Sequence, residues 1–215
     1  MNLFTTFIES TQSHYFSQAM MIYQEAFPSN ERQTLSKIAE RVEGGKSQLL
    51  VGILSDEVVV MALLWNFMDS PFELLDYLAV KEGFRGKQLG AKMFRFLLEK
   101  ATQNNRFLIL EVEHPQKGFN TAQRQKRVQF YLNNGAYLLS NVPYILPSLD
   151  GTAPTEMQLM MAPQPTPQVI EPETIKNLIA RLYLEIYEKP QGDSGLVSLI
   201  ETIPSKILVT NTLSL

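Results

Sequence analysis

The sequence predicts a mixed α/β fold: a central, mostly antiparallel sheet with one parallel βαβ unit and flanking helices. Three observations carry this expectation. Two β-rich apolar runs, 48–54 and 58–65, are separated by Ser55-Asp56-Glu57, the pattern of an antiparallel hairpin. A strand run at 74–80, a glycine-rich turn, a helical stretch at 88–102 and a strand run at 107–112 then spell a βαβ unit. The strands of such a unit run parallel with a right-handed crossover. Ahead of both, Phe16, Met20, Tyr23 and Phe27 recur at helical spacing and stop at Pro28.

The remaining elements follow in order. Residues 3–8 read as a first strand, and Ser29 or Asn30 as the cap of a second helix carrying Leu35, Ile38 and Val42 up to Gly44-Gly45. In the helix of the βαβ unit, Leu89, Met93, Phe96 and Leu97 form the inward stripe. A further helix ends at Asn133-Asn134-Gly135, where glycine suits a left-handed stop. Strands near 136–146 and at 157–161 complete the sheet, giving the order β-α-α-β-β-β-α-β-α-β-β. After Ala162, Pro163-Gln164-Pro165-Thr166-Pro167 reads as an extended linker, because repeated proline removes backbone donors and disfavours helix. The expected organisation is a main domain at 1–163 and a helical extension at 164–215. Ile175, Leu178, Ile179, Leu182 and Ile186 give that extension one apolar stripe, to be buried on the domain or on a second subunit of a homodimer.

Composition bounds the chemistry. With 215 residues, 45% of them apolar, the chain can bury a substantial core. Nineteen basic against twenty-two acidic residues leave a formal charge of -3, which offers no general field for nucleic acid or an anionic membrane. Any anion site must be local. There is no cysteine, so disulfides, thiolate metal sites and thiol nucleophiles are excluded. The start, Met1-Asn2-Leu3-Phe4, has no basic segment before an apolar stretch, and no run approaches the ~18 apolar residues of a membrane span. A cytoplasmic protein is expected. His14 and His114 stand apart, without an assembled ligand set for a metal.

The most informative segment is the strand 74–80 followed by Lys81-Glu82-Gly83-Phe84-Arg85-Gly86-Lys87-Gln88-Leu89-Gly90-Ala91. A loop entering a helix N-terminus meets unpaired amides and a partial positive charge, so it can hold a pyrophosphate, with Arg85 and Lys87 adding local charge. The nucleoside-triphosphate loop needs wider spacing than that of Gly83 and Gly86, and Ser or Thr where Gln88 follows Lys87. The dinucleotide G-x-G-x-x-G is also absent.

The run Leu78-Ala79-Val80, then Phe84-Arg85-Gly86-Lys87-Gln88-Leu89-Gly90, resembles the acetyl-CoA loop Q/R-x-x-G-x-G/A of the Gcn5-related N-acetyltransferases (GNAT). Arg85 stands at the R and Gly90 at the last G; Gln88 replaces the middle glycine, a departure that bears on cofactor affinity more than on fold. Arg127-Val128-Gln129-Phe130-Tyr131-Leu132-Asn133-Asn134-Gly135-Ala136 resembles the family's F-Y-x-x-x-G-F segment, with Ala136 where an aromatic is usual. Both blocks occur in the family's order and on its elements, over about residues 1–162. Residues 110–115, 144–147 and 27–32 further resemble a bacterial branch of these enzymes.

The resemblance implies the Gcn5-related acetyltransferase fold, acetyl-CoA as acyl donor, and direct transfer to a primary amine of a small molecule or peptide in a ternary complex. It implies cofactor contacts from Leu78, Val80, Arg85, Gly86, Lys87, Gln88, Leu89, Gly90 and Ala91, with a strand amide near Val80 polarising the thioester. Tyr131 matches the tyrosine that protonates the departing thiolate; packing beside Phe130 is the plainer role. Three carboxylates are candidate bases. Asp76 interrupts an apolar strand and by the two-residue period shares a face with Leu74 and Leu78, while Glu111 and Glu113 share a face of the next strand near its carboxyl end. The alternative for Asp76 is an edge-facing or salt-bridged carboxylate, and for the two glutamates solvation or cation binding. Glu31 and Arg32 are candidates to face the acceptor, or are a solvated first turn. Two rival functions stay open: a CoA-binding module without turnover, and a partner-binding protein whose surface is the helix at 173–187.

Overall fold

The computed structural model describes residues 3–147, 154–163 and 170–213, and only the main chain of Asn30. The chain divides into two compact units, residues 1–108 and 109–215.

In the first unit, β1 (Phe4–Ile8), β2 (Ser47–Leu54), β3 (Glu57–Asn66) and β4 (Phe72–Val80) form a consecutive antiparallel sheet. Three helices belong to it: α1 (His14–Ala26), α2 (Leu35–Glu43) and α3 (Leu89–Gln103). The hairpin turn expected between β2 and β3 is present, with Ser55 and Asp56 both at positive φ, the conformation that matches the twist of the flanking strands. One core joins Phe16, Met20 and Tyr23 of α1, Ile38 and Val42 of α2, and Leu49, Val51, Met61, Leu63, Tyr77 and Ala79 of the sheet. β5 (Phe107–Glu113), which starts in this unit, is the parallel partner of β4, giving the mixed sheet its one parallel pair.

The second unit holds the rest of β5, then α4 (Thr121–Asn133), β6 (Tyr137–Leu139), β7 (Tyr144–Leu146) and β8 (Thr155–Ala162). α5 (Pro172–Arg181), a wide π-turn at Leu182–Ile186, α6 (Ser194–Glu201) and β9 (Val209–Thr210) follow. The strand order is β5-β8-β6-β9, with β7 also on β8.

Several expectations are corrected. The second helix starts at Leu35, not after Ser29 or Asn30: Ser29–Glu31 is a single 3-10 turn, and Thr34 is the cap, its hydroxyl accepting the Lys37 amide at 3.3 Å. The stretch 136–146 is two short strands, each paired separately with β8. The helix expected through residue 187 narrows to α5 and then widens into the π-turn; α6 and β9 were not anticipated. Residues 164–167 of the expected linker lie outside the described residues.

The largest correction concerns β4. Leu63 pairs with Tyr77 and Leu64 with Leu75, so Asp76 is an extra residue, a β-bulge. Strict alternation therefore fails across it. Leu74, opposite Trp65, shares a face with Tyr77 and Ala79, whereas Leu78 lies on the other face. Asp76 and Leu78 do not belong to one face as the two-residue period predicted.

Candidate functional site

In the first unit, β4 runs into Lys81, a 3-10 turn at Glu82–Phe84, the exposed residues 85–88, and α3. The turn is built by Phe84 and Arg85 amides donating to the Lys81 and Glu82 carbonyls at 2.9 and 3.1 Å. Gly86 follows at φ +76, a backbone that side chains rarely adopt, and a Cβ there would meet nothing within 4 Å. Gln88 is the N-cap, itself left-handed at φ 61, and no side chain caps the helix. A glycine-like backbone is thus kept at the position where the family's middle glycine is absent. Leu89 is buried and pins the first turn, while Gly90 and Ala91 are partly exposed. The first-turn amides of α3 are left for another acceptor.

The charged residues of the loop are not equally available. Arg85 donates from Nε to the Val80 carbonyl at 3.1 Å and from Nη2 to Glu25 Oε1 of α1 at 2.7 Å. It fastens the loop to the end of β4 and to α1. Lys87 Nζ stands 4.6 Å from the Phe84 ring centre and is exposed. Leu78 and Val80 share the face opposite Tyr77 and are partly exposed, where Ala79 is buried.

Asp76, the bulge residue, faces α2. Its Oδ2 stands 3.7 Å from Arg41 Nη1, the two side chains being 8% and 5% exposed, and the Arg41 guanidinium lies 5.0 Å from the Trp65 ring. At that separation the pair attracts without a good hydrogen bond. Burial pushes the Asp76 carboxyl up to about 6, and Arg41 pulls it back only in part.

Beside it, the Tyr77 hydroxyl donates to the Glu31 carbonyl at 3.0 Å and accepts the Gln33 amide at 3.4 Å; the Tyr23 hydroxyl donates to the Gln33 carbonyl at 3.1 Å. Burial pushes the Tyr77 phenol far up and the Tyr23 phenol up to about 12, so both stay protonated donors. Together they set the course of the chain through Glu31 and Arg32. Arg32 itself turns back to the Gln24 carbonyl at 3.0 Å.

The second unit carries the other candidates. Tyr131 on α4 is partly buried beside Phe130, with ring centres 5.1 Å apart. Burial pushes its phenol up to about 12, with the Arg127 charge acting the other way. Glu113 is ion-paired with Arg124 at 3.0 Å and with Arg127. Arg124 also donates to the Lys117 carbonyl, in the loop that turns at Gly118. Glu111 accepts from two phenols, Tyr144 on one carboxylate oxygen and Tyr187 on the other, the latter at 2.6 Å. Sequence reasoning missed both tyrosines. Tyr144 lay in a noted segment, but only its pairing on β8 reveals its target; Tyr187 is more distant still.

The sequence model described as Acetyltransferase (GNAT) family matches residues 12–119, half of the chain. No curated protein matches. Among solved structures, a protein assigned to the GNAT acetyltransferases from Bacteroides thetaiotaomicron is similar at TM-score 0.72 and 20% identity, over 87% of this chain and 99% of that one. A Bacillus subtilis acetyltransferase in complex with CoA is similar at TM-score 0.52 and 15% identity, over 74% and 97%. A ribosomal-protein alanine N-acetyltransferase from Escherichia coli is similar at TM-score 0.52 and 19% identity, over 74% and 94%. At these identities the likeness is one of fold.

Proposed function

The chain belongs to the acetyltransferase (GNAT) family, and from that premise we propose that it transfers acetyl from acetyl-CoA to a primary amine of a small molecule or peptide. The observation that carries this reading is the turn between β4 and α3. Two left-handed positions on either side of Lys87, Gly86 and Gln88, present a helix start that no side chain caps, with open space over Gly83 and Gly86 and the ammonium of Lys87 nearby. Such a turn suits a pyrophosphate, so these residues fit CoA. Arg85 supports the site by anchoring the loop, through Glu25 and the Val80 carbonyl.

The reaction needs a proton removed from the acceptor ammonium and one delivered to the departing thiolate. We assign the second task to Tyr131, whose phenol stays protonated across the working range and is therefore a donor. For the first we assign Glu111. Glu113 is held by two arginines, and Asp76 is buried against Arg41. Two phenols, Tyr144 and Tyr187, donate to the two oxygens of the Glu111 carboxylate and orient it. The backbone of residues 31–33, set by Tyr23 and Tyr77, is the proposed wall for the acceptor.

Calorimetric titration with acetyl-CoA, using ATP and NAD as controls, tests the reading. Saturable binding of acetyl-CoA alone supports it and leads to a screen of amines for acceptor-dependent thiol release. Absence of binding refutes it; binding without thiol release for any amine makes the protein a CoA-binding module.

A further inference from the structure

We infer that Tyr187, in the C-terminal extension, is a positioning residue for acetyl transfer: its phenol holds the Glu111 carboxylate in the orientation that receives the acceptor's proton. The inference rests on the assignment of Glu111 made above. Its own support is the way the extension is built.

α5 buries Ile175, Leu178 and Ile179, and the π-turn buries Leu182 and Ile186, so the extension is docked by its apolar stripe. The turn then departs from regular helix. The Tyr187 amide reaches back to the Leu182 carbonyl at 3.2 Å and the Lys189 amide to the Tyr183 carbonyl at 2.9 Å, spacings wider than an α-helix allows. This widening delivers two phenols to two different targets. Tyr183 donates to the Ile145 carbonyl of β7 at 2.6 Å, a docking contact with main chain. Tyr187 donates to Glu111 Oε2 at 2.6 Å, while Tyr144 of β7 donates to Oε1.

One donor on each oxygen fixes the plane of the carboxylate, because rotation about its last bond would break both. Both phenols donate to the ionised form and so favour it. In turnover the ammonium N–H bond breaks and an O–H bond forms on Glu111. That proton later passes to water, and the phenols keep theirs.

The test uses the full chain and the variants Tyr187→Phe and Tyr183→Phe. Truncation of the extension is unsuitable, since it would expose the buried stripe. For Tyr187→Phe, with an acceptor amine from the screen, kcat is expected to fall about tenfold and the acid limb of kcat/KM to move to higher pH. The KM for acetyl-CoA should not change. Tyr183→Phe should leave the acid limb in place. Independently of turnover, carbon-13 NMR titration of the glutamate side-chain carboxyls, with Glu111 assigned through Glu111→Gln, should show it titrating at higher pH in Tyr187→Phe. An unshifted acid limb and an unshifted carboxyl titration overturn the inference while leaving the acetyltransferase reading intact. Absence of acetyl-CoA-dependent turnover in the wild type, with every amine, overturns that reading and this inference with it.

Discussion

Raising the pH from 5 to 7.5 should cost this protein stability through Asp76, and replacing Asp76 by Asn should abolish that cost. The carboxyl sits at about 6 in the fold against 3.8 for the ordinary side chain. A group raised in the folded state favours folding most below its unfolded value, and that contribution is lost as pH rises through the folded value. The full difference is about 3 kcal/mol, of which about 1 kcal/mol falls between pH 5 and 7.5. The cause is geometric: at 3.7 Å from Arg41 the ionised carboxylate is inadequately repaid for its burial. Urea unfolding of wild type and Asp76→Asn at both pH values gives the answer as a difference of differences. The absolute offset of the variant, which includes the effect on Arg41, cancels. The wild type should lose about 1 kcal/mol relative to the variant on going to pH 7.5. Parallel behaviour, or a relative gain by the wild type, would mean that Arg41 outweighs burial and that Asp76 is an ordinary paired carboxylate.

Other outcomes follow from the same geometry. Gln88→Gly should raise stability by up to about 1 kcal/mol in urea unfolding, because it relieves a left-handed side chain, whereas Gln88→Val should lower it by more than that. Gly118→Ala should cost about 1–2 kcal/mol: φ is +86, and the new methyl would lie 2.7 Å from the Arg124 guanidinium. Glu25→Gln should weaken acetyl-CoA binding in calorimetry in the same direction as Arg85→Ala, since the pair anchors the loop; tighter binding on removing the acid would show that Arg85 acts by charge alone. Tyr131→Phe should slow thiol release by about a hundredfold or more with acetyl-CoA affinity retained.

The sheet and the βαβ unit were legible because strand alternation, the Ser55-Asp56-Glu57 turn and the glycine-rich loop are local signals. The loop after β4 was legible for the same reason, and even its departure at Gln88 was visible as a residue, though not as a left-handed one. The bulge at Asp76 was not, because it is a property of two strands in register: nothing in 72–80 shows that Leu64 pairs with Leu75 while Leu63 pairs with Tyr77. The cap of α2 was placed at Ser29 or Asn30 because both are good caps, and only the 3-10 turn that Ser29–Glu31 forms moves the helix start to Thr34. The partners of the carboxylates were hidden for a related reason. Arg41 and Asp76, or Glu111 and Tyr187, are far apart in the chain, and only the fold introduces them.

The hold that Tyr23 and Tyr77 have on residues 31–33 falls on carbonyls and an amide, not on side chains. A grip of this kind is indifferent to sequence. Glu31, Arg32 and Gln33 can be exchanged for other residues, proline at 33 excepted, while the main chain keeps its path, since what the tyrosines grasp is common to every amino acid that keeps its amide hydrogen. In its proposed role as acceptor wall, the segment would be a mount with interchangeable fittings, on which selectivity could drift while the frame beneath it stays constant.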